Sequence, residues 1–384
     1  MYKQKLKYKL LSVFTAVIIT FTNVTPIWAE DSTKAEAPEI EGLTYESSMD
    51  LSFAQCFDVY YYNDGYKLLD VHDSARYLVV PEGKEAPDGL DEEIRILQQP
   101  LDTIYMAATS PMALFDAIGS VDSIKLSGLD ASGWYIQAAS DAINDGAMTY
   151  AGKYDEPDYE LLVGEDCDLA IESTMILHAP KVQEMIETLG IPVFIDRSSY
   201  ESQPLGRTEW IKLYGAMMNK EEEAESFFSQ QAQIIEKLKD FQNTEKTVAF
   251  FYINTSGSPV VRNPKDYISS MIEVAGGRNA FADLQDDSGK TSVSITMEEF
   301  YNTAVDADYL IYNTSIDATV DSLDDLLAKD SLMADFKAVK EGNVWVTDDS
   351  MYQHTDTIGE LINDFNLMLT GGSEADMTFL HKLS

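Results

Sequence analysis

The imidazoles and thiols of this chain are few: four His and two Cys. His72 falls in a turn and His381 close to the C-terminus. His178 ("ESTMILHAP") and His354 ("SMYQHTD") each follow a strand-like apolar run. An imidazole at such a place suits haem iron or a bare metal ion, and equally suits an ordinary polar loop. Other loop side chains with binding chemistry lie at similar places. Trp134, Tyr135, Tyr200 and Tyr352 offer flat aromatic faces that would either stack on a ligand or anchor their own loops. Thr174, Ser256 and Thr314 offer hydroxyls, and Arg262 a guanidinium for a carboxylate. Arg207 ("PLGRTEW") either clamps a carboxylate or braces a helix, and Trp210 and Trp345 sit inside elements, where packing is the expected role. The spacings of catalysis are missing. The chain holds no G-x-S-x-G, no H-E-x-x-H, no phosphate-binding Gly-Lys loop and no Cys–His pair, and "NTSGSP" (254–259) lacks the form of a nucleophile elbow. A binder is expected, not an enzyme, with no cofactor of its own. A protein dedicated to bare Zn²⁺ offers about three imidazoles or thiolates. Here a Zn or Mn binder would draw on His178, His354 and acids, which is the competing reading.

These residues need elements to hold them. From about Leu101, short apolar runs alternate with helical stretches: "LDTIYMAAT", "SPMALFDAIG", "DSIKLSG", "CDLAIES", "APKVQEMIETLG", "IPVFIDR". Gly119, Gly146 and Gly190 end the helices. The alternation restarts after Lys246 with "KTVAFFYIN", "PKDYISSMIEVAGG", "DYLIYNT" and "NVWVTD". "DLAIESTMI" (168–176) and "DYLIYNTSI" (308–316) share the pattern D-x-x-I-x-x-T-x-I. The repetition predicts two similar α/β lobes with parallel sheets, and a cleft lined by the loops at the carboxyl ends of the strands. Between the lobes, "GRTEWIKLYGAMM" and "KEEEAESFFSQQAQIIEKLKDF" predict two helices, the second opened by a capping box of Asn219 and Glu222.

The N-terminus has four Lys, an apolar run from Leu10 to about Phe21, and small residues up to Ala29. That order is the order of a secretory signal over 1–29, so the chain is expected to be exported, to the periplasm or cell surface. Neither Cys56 nor Cys167 lies just after the signal, so no lipidated N-terminal Cys is expected, and a Cys56–Cys167 disulfide and two buried free thiols are both compatible with export. Loss of the signal leaves 23 basic residues against 66 acidic ones, a net charge of −43. Such a surface repels nucleic acid and anionic lipid. Residues 30–45 read as a flexible lead-in. Residues 46–95, with turn residues at Asn63-Asp64-Gly65 and His72-Asp73-Ser74, read as a small antiparallel meander. The lobes then span 96–205 and 243–384, with connecting helices over 206–242.

Over roughly 95–375 the chain resembles the helical-backbone substrate-binding proteins of ABC importers, which capture iron–siderophores, haem or cobalamin. The matching stretches are "LFDAIGSVDSIKLSG" (114–128), "AGKYDEPDYELLVGEDCDLAI" (151–171), "VQEMIETLGIPVF" (182–194), "PLGRTEWIKLYGAMMNKEEEA" (204–224), "MIEVAGGRNAFADL" (271–284) and "MEEFYNTAVDADYLIYN" (297–313). The resemblance implies two Rossmann-like lobes joined by a long backbone helix, a metal chelate held between them, an ABC permease as partner, and a monomer. It also implies docking through one exposed acid on each lobe: Glu299, with Glu298 beside it, in the second, and Glu201 in the first. The meander precedes the family's usual first strand. The cleft loops carry more aromatics than cations, with Arg262 the expected basic contributor, which favours a flat, largely apolar complex.

Overall fold

Aromatic and β-branched runs, cut by polar turn residues, fold first into a sheet of β1 (Tyr45–Ser48), β2 (Phe57–Tyr62), β3 (Lys67–Val71), β4 (Arg76–Val80) and β5 (Ile94–Gln98). The computed structural model describes residues 37–238, 243–286 and 290–384. The expected signal segment and the end of the second connecting helix lie outside the described residues. Strands β1 to β4 are antiparallel neighbours, as the turn signals imply, with Asp64 and Asp73 in the left-handed region at φ 60° and 54°. β5 joins β4 in parallel, so the sheet runs past the expected boundary at 95. The described part of the lead-in is ordered: Ile40 is buried, and the Leu43 N–H donates to its carbonyl.

The next sheet is parallel throughout. It comprises β6 (Ile104–Met106), β7 (Ile124–Ser127), β8 (Thr149–Tyr150), β9 (Leu169–Ser173) and β10 (Val193–Asp196), in the order β10-β9-β6-β7-β8. Between the strands run α1 (Ser110–Ala117), α2 (Gln137–Asn144), α3 (Tyr159–Gly164) and α4 (Pro180–Thr188). Gly119, Gly146 and Gly190 follow helix ends with positive φ, as expected. Two central helices, α5 (Pro204–Met218) and α6 (Glu221–Glu236), lead to the third sheet.

That sheet contains β11 (Thr247–Ile253), β12 (Pro259–Arg262), β13 (Arg278–Asn279), β14 (Ser292–Ser294), β15 (Tyr309–Tyr312), β16 (Val344–Thr347) and β17 (Leu380–Lys382). Its order is β14-β12-β11-β15-β16-β17, with β13 on β11. Only its centre is parallel: β12, β14 and β17 pair antiparallel, which confines the expected parallel pairing to that centre. Helices α7 (Tyr267–Val274), α8 (Met297–Ala304), α9 (Leu323–Lys329), α10 (Lys337–Glu341) and α11 (Ile358–Thr370) accompany it.

The repeated stretches fall in different sheets, on β9 and β15, and their shared Asp does the same work in both. Asp168 accepts the N–H groups of Asp102 and Thr103, just before β6, at 3.1 and 2.9 Å. Asp308 accepts that of Thr247, the first residue of β11, at 2.8 Å. Each carboxylate ties the entry of its own strand to that of a parallel neighbour.

Helix α5 is buried from Pro204 to Met217, on every side. Its closest neighbour is α6, where a Cβ at Gly215 would lie 2.6 Å from that of Ala224. Glycine is needed there for the two backbones to approach. Its polar residues therefore need partners inside the protein, and the first sheet supplies them. Glu209 accepts the N–H groups of Ser52, Phe53 and Ala54 at 2.7–3.0 Å and pairs with Lys212 at 3.2 Å. Lys67 of β3 donates to the Ala216 carbonyl at 2.8 Å and to Asn219 at 2.7 Å, and pairs with Glu221. Asn219, at φ 56°, closes α5 and opens no capping box, because Lys67 and Gln99 occupy its side chain.

Two stability predictions follow from these carboxyl groups. Glu209→Ala strands three N–H groups and takes from the buried Lys212 one of its two carboxylates, so urea unfolding should show a loss of about 3–5 kcal/mol; a loss below 1 kcal/mol would refute the staple. Glu172 in β9 is fully buried with both oxygens unpartnered, and burial pushes its carboxyl up to about 9. The unfolded chain ionises from the ordinary carboxylate range near 4.3, whereas the folded chain holds its proton to about 9. Stability is therefore lost as pH rises through that window. Glu172→Gln should flatten the slope, so melting curves of the two proteins diverge from pH 5 to pH 9. Parallel profiles would count against the buried, protonated carboxyl.

Candidate functional site

The loop following β16 carries the residues that join the two α/β sheets. Gln353 accepts the Tyr135 N–H at 2.9 Å and donates to the Gly133 carbonyl at 2.8 Å. Thr355 donates to the Ser110 carbonyl at the start of α1, and its own carbonyl accepts from Thr208 of α5 at 2.9 Å. On the other side of α5, Ser270 of α7 donates to the Ser202 carbonyl at 3.2 Å. Uncharged hydrogen bonds thus zip the first lobe to the second, each worth about 1 kcal/mol.

Beneath this seam lies a narrow pocket of about 10 Å³, room for one water-sized group, lined by Arg207, Tyr267, Met271, Tyr352, His354 and Thr355 among others. Arg262 forms a two-pronged pair with Asp266, at 2.8 and 2.7 Å, and Asp266 also caps α7 through the Ile268 N–H. The Arg207 guanidinium stacks 4.3 Å from the Tyr267 ring centre, and Arg262 lies 5.5 Å from the same ring. Tyr352 accepts from Asn313 at 2.7 Å, and burial pushes its phenol up to about 12. His354 lies 3.6 Å from Asp356 and packs on Phe379. Burial raises the Glu360 carboxyl, and the negative charge of Asp356 adds to that rise. A wider opening of about 210 Å³ is walled by Ser199, Tyr200, Asn263, Lys265 and Asp266 among others.

Of the residues expected in the cleft, Tyr352 and His354 line the narrow pocket, Tyr200 the wider one, and Tyr135 sits half-exposed at the seam. Arg262 lies behind the pocket, neutralised by Asp266. Trp134 is not a stacking surface: it is buried in the core, and its Nε1 donates to Ser127 at 2.8 Å. His178 is exposed at the end of its turn and does not line the pocket of His354. Thr314 is buried and donates to the Thr347 carbonyl, Thr174 is half-buried, and Ser256 binds back to Asn254 within its own turn. Glu298 and Glu299 are exposed in the first turn of α8, capped by Thr296. Glu201 cannot present a carboxylate to a partner. It is 2% exposed and accepts from Gln55, Cys56 and Trp210, a second staple on the segment that enters β2. Cys56 and Cys167 are free thiols; burial, with Glu201 adding to it, pushes that of Cys56 up to about 12. Gln353 belongs to the loop 351–354 that the sequence places at the cleft, whereas Tyr267 escaped the sequence reading. Nothing local marks Tyr267, although "RNPKDY" places it just after a turn.

Among the described residues, no group of three or more His, Cys, Asp or Glu is placed to hold a metal ion, and no helix is long and apolar enough to cross a membrane. The model of the periplasmic binding protein family matches residues 106–351, well over half of the chain. An uncharacterized lipoprotein of Methanocaldococcus jannaschii is 25% identical over 70% of this chain and 64% of its own length, so the chain spans less than two thirds of that relative. A periplasmic heme binding protein from Pseudomonas aeruginosa has the same fold, with a TM-score of 0.57 at 16% identity, over 74% of this chain and 98% of that one. So does a petrobactin-binding protein from Bacillus subtilis, at 0.55 and 17%, over 70% and 92%. With two α/β sheets about a buried central helix, and that match across both, the chain belongs to the periplasmic binding protein family.

Proposed function

We propose that this protein is an extracytoplasmic substrate-binding protein that hands a metal chelate (haem, cobalamin or an iron–siderophore) to an ABC permease, with the ligand gripped between the lobes. The observation that carries the reading is the convergence of Arg207, Tyr267, Tyr352 and His354, from α5, α7 and the loop after β16, where that loop is hydrogen-bonded to the first lobe. The family consists of binding proteins. Two proteins with this fold are a heme binding protein and a petrobactin-binding protein. The stacking role expected of Trp134 passes to Tyr352 and Tyr200. His354 remains the candidate axial ligand, and its place beside Asp356 would help to orient the ring.

Titrating the purified protein with haemin, cyanocobalamin and a ferric siderophore, read by absorbance and melting temperature, should give saturable binding of at least one. If none of the three binds, the chelate reading is wrong. Ligand entry at the seam requires the Gln353 contacts to part. Gln353→Ala should therefore speed association of the chelate and quicken hydrogen exchange of the Tyr135 amide about fivefold, the equivalent of about 1 kcal/mol. An unchanged amide would mean that the seam is not closed by Gln353 in solution. The exposed pair Glu298 and Glu299 is the proposed docking point on the second lobe. Reversing both charges should leave chelate affinity intact and abolish chelate-stimulated transport in vesicles carrying the cognate permease. Transport that survives would reduce both acids to solvated surface.

A further inference from the structure

Three cationic side chains are buried among the described residues: Lys67, Arg207 and Lys212. Lys67 pairs with Glu221, and Lys212 with Glu209 and Glu225 at 3.2 and 2.9 Å. Arg207 is 5% exposed, yet no carboxylate pairs with it, and its buried Nε finds no acceptor. Its one polar contact is the face of Tyr267. This occurs in a chain with 66 acidic residues to 27 basic ones, where an internal partner would be the cheapest feature to supply. No carboxylate lines the pocket of Arg207; nearby, Asp266 is taken by Arg262, and Asp356 faces His354 at 3.6 Å, its buried Oδ1 without a hydrogen-bond partner. Burying a charge without a counter-charge is costly. A guanidinium held that way, on the wall of a pocket formed with α7 and the loop after β16, is arranged for an anion that the chain does not itself carry.

We propose that Arg207 is the counter-charge for an anionic group, a carboxylate or phosphate, on the ligand held between the lobes. The inference rests on the binding-protein reading above and narrows it: the cargo bears at least one acidic arm, and that arm points at α5. Arg207 is suited to the task because its fork donates two parallel hydrogen bonds to a carboxylate or phosphate, and Tyr267 fixes the plane of the fork from behind. Arg262, with both prongs taken by Asp266, stiffens the Tyr267 side of the pocket and is not the receiving group.

The test compares the wild type with Arg207→Gln and Arg207→Lys, each first melted without ligand. Arg207→Gln removes a buried charge that nothing balances, so it should melt no lower than the wild type. A marked drop would mark Arg207 as a structural brace and overturn the proposal. Each protein is then melted in citrate, in inorganic phosphate and with haemin, against NaCl at matched ionic strength. The wild type should show a saturable rise with at least one of these anions. Half-saturation should move at least tenfold for Arg207→Gln and less for Arg207→Lys. A response to citrate or haemin but not phosphate assigns the site to a carboxylate arm, and the reverse assigns it to a phosphate. Equal shifts in wild type and Arg207→Gln, or none in either, refute the proposal. Dicyanocobinamide, a corrinoid whose side arms end in amides and a hydroxyl and which lacks the phosphate of cyanocobalamin, separates the two readings. If it alone binds, and equally to all three proteins, the binding-protein reading stands and the anion site falls. If anions act through Arg207 while no metal chelate binds more tightly than citrate, the anion site stands and the chelate reading falls.

Discussion

Helix α5 has no solvent face, and the rest of the molecule is arranged around that fact. A helix normally keeps its polar residues on one exposed side. Here Arg207, Thr208, Glu209 and Lys212 all lie inside. Each must find a partner within the protein or forfeit the hydrogen bonds that water would have given it. Glu209 finds three backbone N–H groups between β1 and β2, Lys67 of β3 reaches the carbonyl end of the helix, and Thr208 reaches the loop after β16. A cation at a helix C-terminus is also where the helix dipole favours one. The N-terminal sheet is therefore not an ornament on a two-lobed binder. It supplies the counter-groups for one side of the central helix, and the body from Glu39 onward is a single unit.

The same constraint shapes the site. Because α5 is fixed along its length, the groups it projects between the lobes are fixed too, and the lobes meet on a rigid central post. Around it the seam is made of neutral hydrogen bonds from Gln353, Thr355 and Ser270. Neutral contacts of that kind part at modest cost, whereas the charged staples of Glu209, Glu201 and Lys67 do not. Strong bonds hold the post, and weaker ones close the cleft against it.

Much of the fold was legible from the sequence because it was written in local signals. Turn residues at 63–65 and 72–74 delimited the strands of the first sheet, three glycines ended their helices, and the D-x-x-I repeat fell on equivalent strands of different sheets. The expected parallel pairing holds at the centre of the second sheet, while its antiparallel edges went unread because strand direction at a sheet edge depends on connections, not on composition. Long-range pairing was invisible. Glu201 and Glu209 look like ordinary acids until the chain brings backbone N–H groups from about 150 residues upstream onto them. Trp134 follows a cleft strand yet turns inward, because Ser127 offers its indole N–H a partner in the core. From sequence Arg207 reads equally as a carboxylate clamp or a helix brace, and its burial fits both; only the missing carboxylate distinguishes the two roles.

The two halves of the repeat also show where function and fold separate. Asp168 and Asp308 staple strand entries, and Ile171 and Ile311 are fully buried, so these positions answer to the sheet. The tips diverge: Ile176 is buried, Ile316 is half-exposed, and Thr314 turns back to the Thr347 carbonyl. The charge of the chain separates in a similar way. A surface with a formal net charge of −39 discourages an anion at long range, but salt screens exposed charges beyond about 8 Å at physiological ionic strength. A guanidinium between the lobes acts inside that distance, in surroundings where water screens it poorly. The acidic exterior therefore bears on how fast a ligand arrives, and the unpaired Arg207 on what is held once it is there.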